Sequence, residues 1–188
     1  IVALVASMNV ISSGFQVCLM APTEILAKQH YNLAKKLFDK NINIKILTSK
    51  TEYKERKEIL RDLDKNIINI IIGTHSLFQE KIKYHNLGLI IIDEQHKFGV
   101  KQRKKLSDKG GKNCDILVMS ATPIPRTMIM TVFGDMDTSI IRNKPKARKE
   151  VKTYSKLESK IDDILKFISQ EINHGNQIFW VCPLIEES

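Results

Sequence analysis

The sequence predicts an α/β protein built on a doubly wound parallel sheet, and three observations carry that prediction. Short apolar runs alternate along the chain with longer stretches of helical period. The run Leu89-Ile90-Ile91-Ile92 has no polar alternation, as a strand buried on both faces requires. Several runs end in small or polar residues: Met20-Ala21-Pro22-Thr23-Glu24, Gly73-Thr74-His75, Asp93-Glu94-Gln95-His96 and Ser120-Ala121-Thr122-Pro123. In a parallel sheet such ends share one edge, and open sheets bind ligands there.

The elements follow in order. Residues 1–13 read as a buried helix stopped by Gly14. Phe15–Met20 is a strand. Pro22-Thr23-Glu24 opens a helix to about Lys40, with Ile25, Leu26, Leu33, Leu37 and Phe38 as its apolar stripe. Thr23 is a good N-cap residue, and so is Thr74. Ile42–Leu47 is a strand, Thr51–Leu63 a charged, solvent-facing helix, and Ile67–Ile72 a buried strand. After Leu89–Asp93 come a short basic helix (Lys101–Leu106), a loop (Lys109–Lys112), a strand (Asp115–Met119), a helix (Arg126–Phe133) and a strand (Ser139–Ile141). From Arg142 to Glu150 the chain is basic around Pro145 and nearly without apolar anchors, as a linker would be. A β–α–β unit follows: Val151–Tyr154, a helix over Leu157–Asn173, and Gln177–Cys182. The expected domains are therefore 1–142, a linker at 143–150, and 151–188.

Composition narrows the function classes. The 188 residues are 43% hydrophobic, enough for a real core, and carry a formal charge of +9. Such a balance favours an anionic partner such as nucleic acid, although abundant Lys, Asn and Ile would also follow from codon bias. Cys18, Cys114 and Cys182 have no CxxC spacing and lie in or beside apolar runs. They read as small buried hydrophobes in a reducing compartment. No apolar run reaches the length of a membrane span. The opening Ile1–Ala6 lacks a basic n-region and a cleavage site, so it does not read as a signal peptide. The expectation is a cytoplasmic protein without a membrane partner; a monomer is expected as well, though composition does not bear on it.

Adjacent acids at a strand's carboxyl end suit a magnesium-bound phosphate: one holds the metal, the other orients or activates a water. A solvated turn is the plain alternative for Asp93 and Glu94 alone. Four polar strand ends on one rim favour a shared functional edge. His30, His85 and His174 show no metal-ligand spacing and are expected to be solvated or capping. Lys97, Lys101, Arg103, Lys104 and Lys105 form either a solvated face or a phosphate-contacting patch beside the acids.

These strings resemble superfamily 2 helicases and translocases. Asp93-Glu94-Gln95-His96 and Ser120-Ala121-Thr122 look like motifs II and III, Ala21–Ala27 like motif Ia, and Gly73-Thr74-His75 like the DNA-contacting segment between Ia and II. Within that superfamily, Met20–Ala27, Ile92–Arg103, Met119–Arg126 and Pro183–Ser188 resemble the RecG family of bacterial ATP-dependent DNA helicases. The resemblance covers essentially the whole chain. It implies an incomplete first RecA-like lobe followed by the first β-α-β of a second.

By resemblance, ATP and Mg2+ are the cofactors. Asp93 would hold magnesium, and Glu94 would position or deprotonate the attacking water. Gln95 and His96 would link nucleotide state to the coupling segment Ser120, Ala121 and Thr122. Pro22, Thr23, Glu24, Gly73, Thr74 and His75 would meet DNA, the two threonines on its backbone. The implied partner is double-stranded, branched DNA at stalled forks and junctions in repair and recombination. Transcription-repair coupling and replication-restart translocases rank second; Gln95 and the Pro183–Ser188 tail disfavour them. A non-catalytic DNA-binding remnant is the reading from another class.

One element of the resemblance is missing. No Gly-x-x-x-x-Gly-Lys-Ser/Thr occurs; Gly110-Gly111-Lys112 lacks the leading Gly, and Asn113 stands where Ser or Thr belongs. The expectation is a piece that begins just after its phosphate loop and stops early in the second lobe, with negligible ATP hydrolysis by itself.

Overall fold

The computed structural model describes residues 1–79, 81–94, 109, 114–121, 137–143 and 150–182. The helices expected at 101–106 and 126–133, the basic group at 97–105, Gly110–Asn113, most of the linker and the 183–188 tail lie outside the described residues. So do Gln95, His96 and Thr122. The chain divides into two units, Ile1–Asp137 and Thr138–Ser188.

In the first unit, helix α1 (Val2–Ser12) leads to strand β1 (Gln16–Met20), helix α2 (Glu24–Leu37), β2 (Ile44–Leu47), α3 (Tyr53–Asp64), β3 (Ile70–Gly73), β4 (Leu87–Ile92) and β5 (Asp115–Val118). A 3-10 turn spans His75–Phe78. The strands form one sheet in the order β2-β3-β1-β4-β5, and every pairing is parallel. The predicted doubly wound sheet is present.

Side-chain alternation divides the core between the two faces. Val17 and Leu19 of β1 join Ile70, Ile72, Leu89 and Ile91 beneath α1 and α2. Cys18 and Met20 point the other way, to Ile71, Ile90, Ile92 and the α3 residues Ile59 and Leu63. Each fully buried leucine or isoleucine contributes about 1.5–3 kcal/mol.

Several local expectations need correction. α1 is not buried all round: Ala3, Leu4 and Ser7 face the sheet, while Val2 and Val5 are exposed. Gly14 does stop it, at φ +85°, with Phe15 N–H donating to Val10 O at 3.2 Å in a Schellman-type ending. α2 does not use its large residues as the inner stripe. Ala27 and Ala34 are fully buried, whereas Ile25, Leu33 and Leu37 are exposed. Small residues let the helix axis lie close to the sheet, and Leu26, Tyr31 and Phe38 pack at its flanks. α3 is not merely solvent-facing, because Ile59 and Leu63, one turn apart, enter the core. Of the cysteines, Cys18 is buried and Cys182 exposed; burial pushes the Cys18 thiol up to about 12.

Gln16 closes the amino-terminal edge of the sheet. Its Nε2 donates to Leu63 O (3.0 Å) and Ile68 O (2.9 Å). Its Oε1 accepts from His85 N (2.9 Å) and Asn86 N (3.1 Å). One amide thereby ties the start of β1 to the end of α3 and the approach to β4.

The second unit has one α-helix among its described residues, α4 (Ile161–Asn173), preceded by a 3-10 turn at Glu158–Lys160. The strands expected at 139–141, 151–154 and 177–182 are not formed. A strand needs a neighbour for its backbone groups, and none pairs with these segments among the described residues. Phe179 and Val181 stand exposed.

Candidate functional site at the carboxyl edge

Register, more than any single residue, builds the site. Met20 pairs with Gly73 and with Ile92, Leu47 with Gly73, and Ile92 with Val118. The last residues of five parallel strands therefore form one row, and whatever follows them shares one edge. Backbone bonds continue one residue further: Asp93 N–H to Met20 O (2.9 Å), Ala21 N–H to Gly73 O (2.9 Å) and Met119 N–H to Ile92 O (2.8 Å). The motif residues Ala21–Glu24, Thr74–His75, Asp93–Glu94 and Ser120–Ala121 all leave from this row.

Part of the edge is a cleft of about 740 Å³. Pro22, Thr23, Glu24, Thr74 and His75 line it, five of the six residues expected to meet DNA. The sixth, Gly73, lies in β3 behind them. A Cβ at Gly73 would come 2.2 Å from Leu47 O, so only glycine lets β2 and β3 approach here. Thr23 caps α2, its Oγ1 accepting from Leu26 N–H at 3.3 Å. Thr74 caps the 3-10 turn by backbone alone, without a side-chain bond to it.

The rest of the lining is Ser49 and Lys50 from the β2–α3 turn, Arg56 from the first turn of α3, and Ser76 and Gln79 from the 3-10 turn and its C-cap. Glu24 Oε1 accepts from Ser49 Oγ at 2.7 Å, and Lys50 Nζ lies 3.2 Å from Glu24 Oε2. The Ser49 hydroxyl and the Lys50 ammonium hold the partly buried Glu24 carboxyl below its ordinary range. Arg56 donates to Gln79 Oε1.

The acids sit at the end of β4, outside the cleft lining. Asp93 Oδ1 accepts from Glu94 N–H at 3.0 Å. Its Oδ2 lies 2.7 Å from His30 Nε2, which carries the proton because a carboxylate only accepts. Glu94 adopts φ +49°, a left-handed conformation uncommon for a residue with a side chain and concentrated at functional sites. The solvated or capping role expected of His30 is corrected by this contact. His30 lies on the inner face of α2 between Ala27 and Ala34 (i+3 and i−4), and that placement was the available signal. His85 Nδ1 lies 3.1 Å from Asp64 O, and His174 is the C-cap of α4, in keeping with the capping roles expected.

Comparison with known proteins places this edge in a family. A model of the DEAD/DEAH box helicase family matches residues 1–131. The chain belongs to that family. Along its whole length it is also similar to proteins named ATP-dependent DNA helicase RecG. It is 48% identical to the one from Bacillus subtilis, covering 27% of that protein, and 45% identical to the one from Aquifex aeolicus, covering 24%. The chain thus spans about a quarter of the length of these relatives. A structure of RecG bound to a three-way DNA junction matches 98% of this chain and 25% of that one, at TM-score 0.78 and 41% identity. The second domain of the DEAD-box helicase Mss116p shares the fold alone, at TM-score 0.50 and 14% identity.

Proposed function

We propose that this chain supplies motor residues to an ATP-dependent DNA helicase of the RecG kind, which remodels branched DNA in repair and recombination. The row of strand ends carries the reading: it gathers a pair of acids and a polar, partly basic cleft onto one edge of a parallel sheet. In this reading residues 1–142 belong to the first motor lobe, 143–150 to a linker and 151–188 to the start of the second. Whole-length similarity to RecG proteins supports that kind of helicase over coupling and restart translocases.

The chemistry of the edge fits the cofactors. Magnesium takes one or two carboxylates, keeps several waters and relies on substrate phosphates for the rest. Asp93, one-fifth exposed at the ligand-binding edge with both oxygens oriented, suits that demand. When bound, the metal would offset the charge of the β- and γ-phosphates of ATP. Glu94 would position or deprotonate the attacking water. Pro22, Thr23, Glu24, Thr74 and His75 would frame the DNA backbone, whose contacts position without reading sequence, with buried Gly73 supporting them from behind rather than touching DNA. Gln95, His96, Ser120, Ala121 and Thr122 would pass nucleotide state to that contact. Among the described residues no helix is long and apolar enough to cross a membrane; a monomeric, cytoplasmic enzyme remains part of this proposal.

A chimera tests it. These 188 residues replace the matching segment of the Bacillus subtilis relative, and junction-stimulated ATP hydrolysis is measured. The chimera should turn over ATP, and E94Q should abolish turnover while nucleotide binding survives. A folded chimera with no junction-stimulated hydrolysis, or an E94Q variant with full activity, would overturn the proposal.

A further inference from the structure

We propose that His30 is a positioning residue for Asp93, its imidazole fixing the carboxylate in the orientation that holds a divalent cation. The inference rests on the reading of Asp93 as the cation-holding acid. It adds a residue to that site from a different element.

The geometry assigns one donor to each oxygen. His30 Nε2 lies 2.7 Å from Oδ2, and Glu94 N–H lies 3.0 Å from Oδ1. The terminal torsion of an aspartate is broad when nothing holds it; two donors on different oxygens set the carboxylate plane. A carboxylate has about four lone-pair directions, so each oxygen keeps one for a cation or its water. Neither partner is sealed away, at 24% side-chain exposure for His30 and 19% for Asp93.

The backbone explains why the contact spans the crevice. β1 and β4 are neighbours, yet their connections leave in opposite directions, from β1 through α2 to the β2 side and from β4 to the β5 side. Open sheets bind ligands at such a divergence. His30 comes from one connection and Asp93 from the other. On the inner face of α2, Ala27 and Ala34 are fully buried and bring the helix close enough for the imidazole to reach the end of β4. Partners that orient a metal-holding carboxylate typically change metal affinity by about 10–100-fold when removed.

The test uses the 188-residue chain with Mn2+ as the probe, read by paramagnetic broadening of the Ile92, Asp93 and Glu94 amide signals in NMR spectra. D93A should abolish the broadening. H30A should raise the Mn2+ concentration for half-broadening about tenfold and shift the Glu94 amide. H30Q, whose amide can still donate, should recover most of the affinity. If H30A does not fold, H30L is held to the same criterion. Wild-type broadening in H30A or H30L, with loss in D93A, would overturn the role of His30 and leave Asp93 standing. Unchanged broadening in D93A would overturn both.

Discussion

The two edges of the sheet treat polar side chains in opposite ways. At the amino edge Gln16, 1% exposed, uses every hydrogen-bonding position of its amide on other parts of the chain. At the carboxyl edge Glu24, Lys50, Arg56 and His75 line an open cleft, and the Lys50 side chain is 80% exposed. A polar residue beside a strand is therefore no sign of function by itself. What matters is which end it occupies and whether its bonding capacity is consumed inside the fold. Gln16 is structural because nothing is left for a ligand; Asp93 keeps lone pairs and exposure.

The largest expected effect is at the closed edge. Gln16→Leu would leave the Ile68 carbonyl and the His85 and Asn86 N–H groups without this partner, and would take one of two donors from Leu63 O, which keeps Asn66 N–H. At about 1–3 kcal/mol for each buried unsatisfied group, part of it recovered by water, the variant should lose about 3 kcal/mol or more. Urea denaturation of the 188-residue chain, with an unchanged m-value, measures it. A loss below about 1 kcal/mol would mean that the two edges do not differ as described. Gly73→Ala is the matching test at the open edge. Its Cβ would meet the Leu47 carbonyl and the Leu77 side chain, so β2 and β3 must separate. A loss of about 2 kcal/mol is expected, with DNA affinity falling alongside because the row of strand ends shifts.

Much of this is legible in the sequence. The unbroken Leu89–Ile92 run required a strand buried on both faces, and the four polar strand ends required a common edge. Both are present, because a parallel strand has no solvent face to encode. The Thr23 cap was legible too, since capping is local. The failures are tertiary. Ile25, Leu33 and Leu37 satisfy a helical stripe, yet Ala27 and Ala34 won the inner face because close packing on a sheet rewards small residues. Val151–Tyr154 and Gln177–Cys182 have strand composition, but propensity does not supply a pairing partner. His30 and Lys50 were missed because their roles depend on which turn crosses which strand end. Gln95, His96 and Thr122 lie outside the described residues, so their expected roles rest on the resemblance.

Smaller effects separate capping from contact within the open edge. Thr23 caps α2 with its side chain, while Thr74 makes no such bond. Thr23→Ala should cost about 1 kcal/mol of stability and Thr74→Ala close to none, although both should weaken binding of a three-way DNA junction. Equal stability losses would mean that Thr74 has a structural role that its capping geometry does not reveal. Equal stability with unequal DNA binding would break the symmetry claimed for the two threonines.

The smallest effects on stability, and the clearest on the salt dependence of binding, belong to Lys50 and Arg56. The Lys50–Glu24 ion pair and the exposed Arg56–Gln79 hydrogen bond contribute little to folding, so Lys50→Ala and Arg56→Ala should leave the unfolding midpoint almost unchanged. On DNA they should behave differently. A cation that neutralises one phosphate releases condensed counterions, and its removal lowers the slope of log affinity against log salt by about one. Each alanine variant should do so for a junction and for an unrelated duplex alike, since phosphate contacts read no sequence. The ionised Glu24 carboxylate, pinned by Ser49 and Lys50, competes with phosphate for the same ammonium. Glu24→Gln should therefore steepen the salt slope while Lys50 is present and change nothing once Lys50 is alanine. Fluorescence anisotropy of the chain with labelled DNA across a salt series decides it. A slope indifferent to all three substitutions would show that the cleft displays its charges to solvent rather than to a nucleic acid.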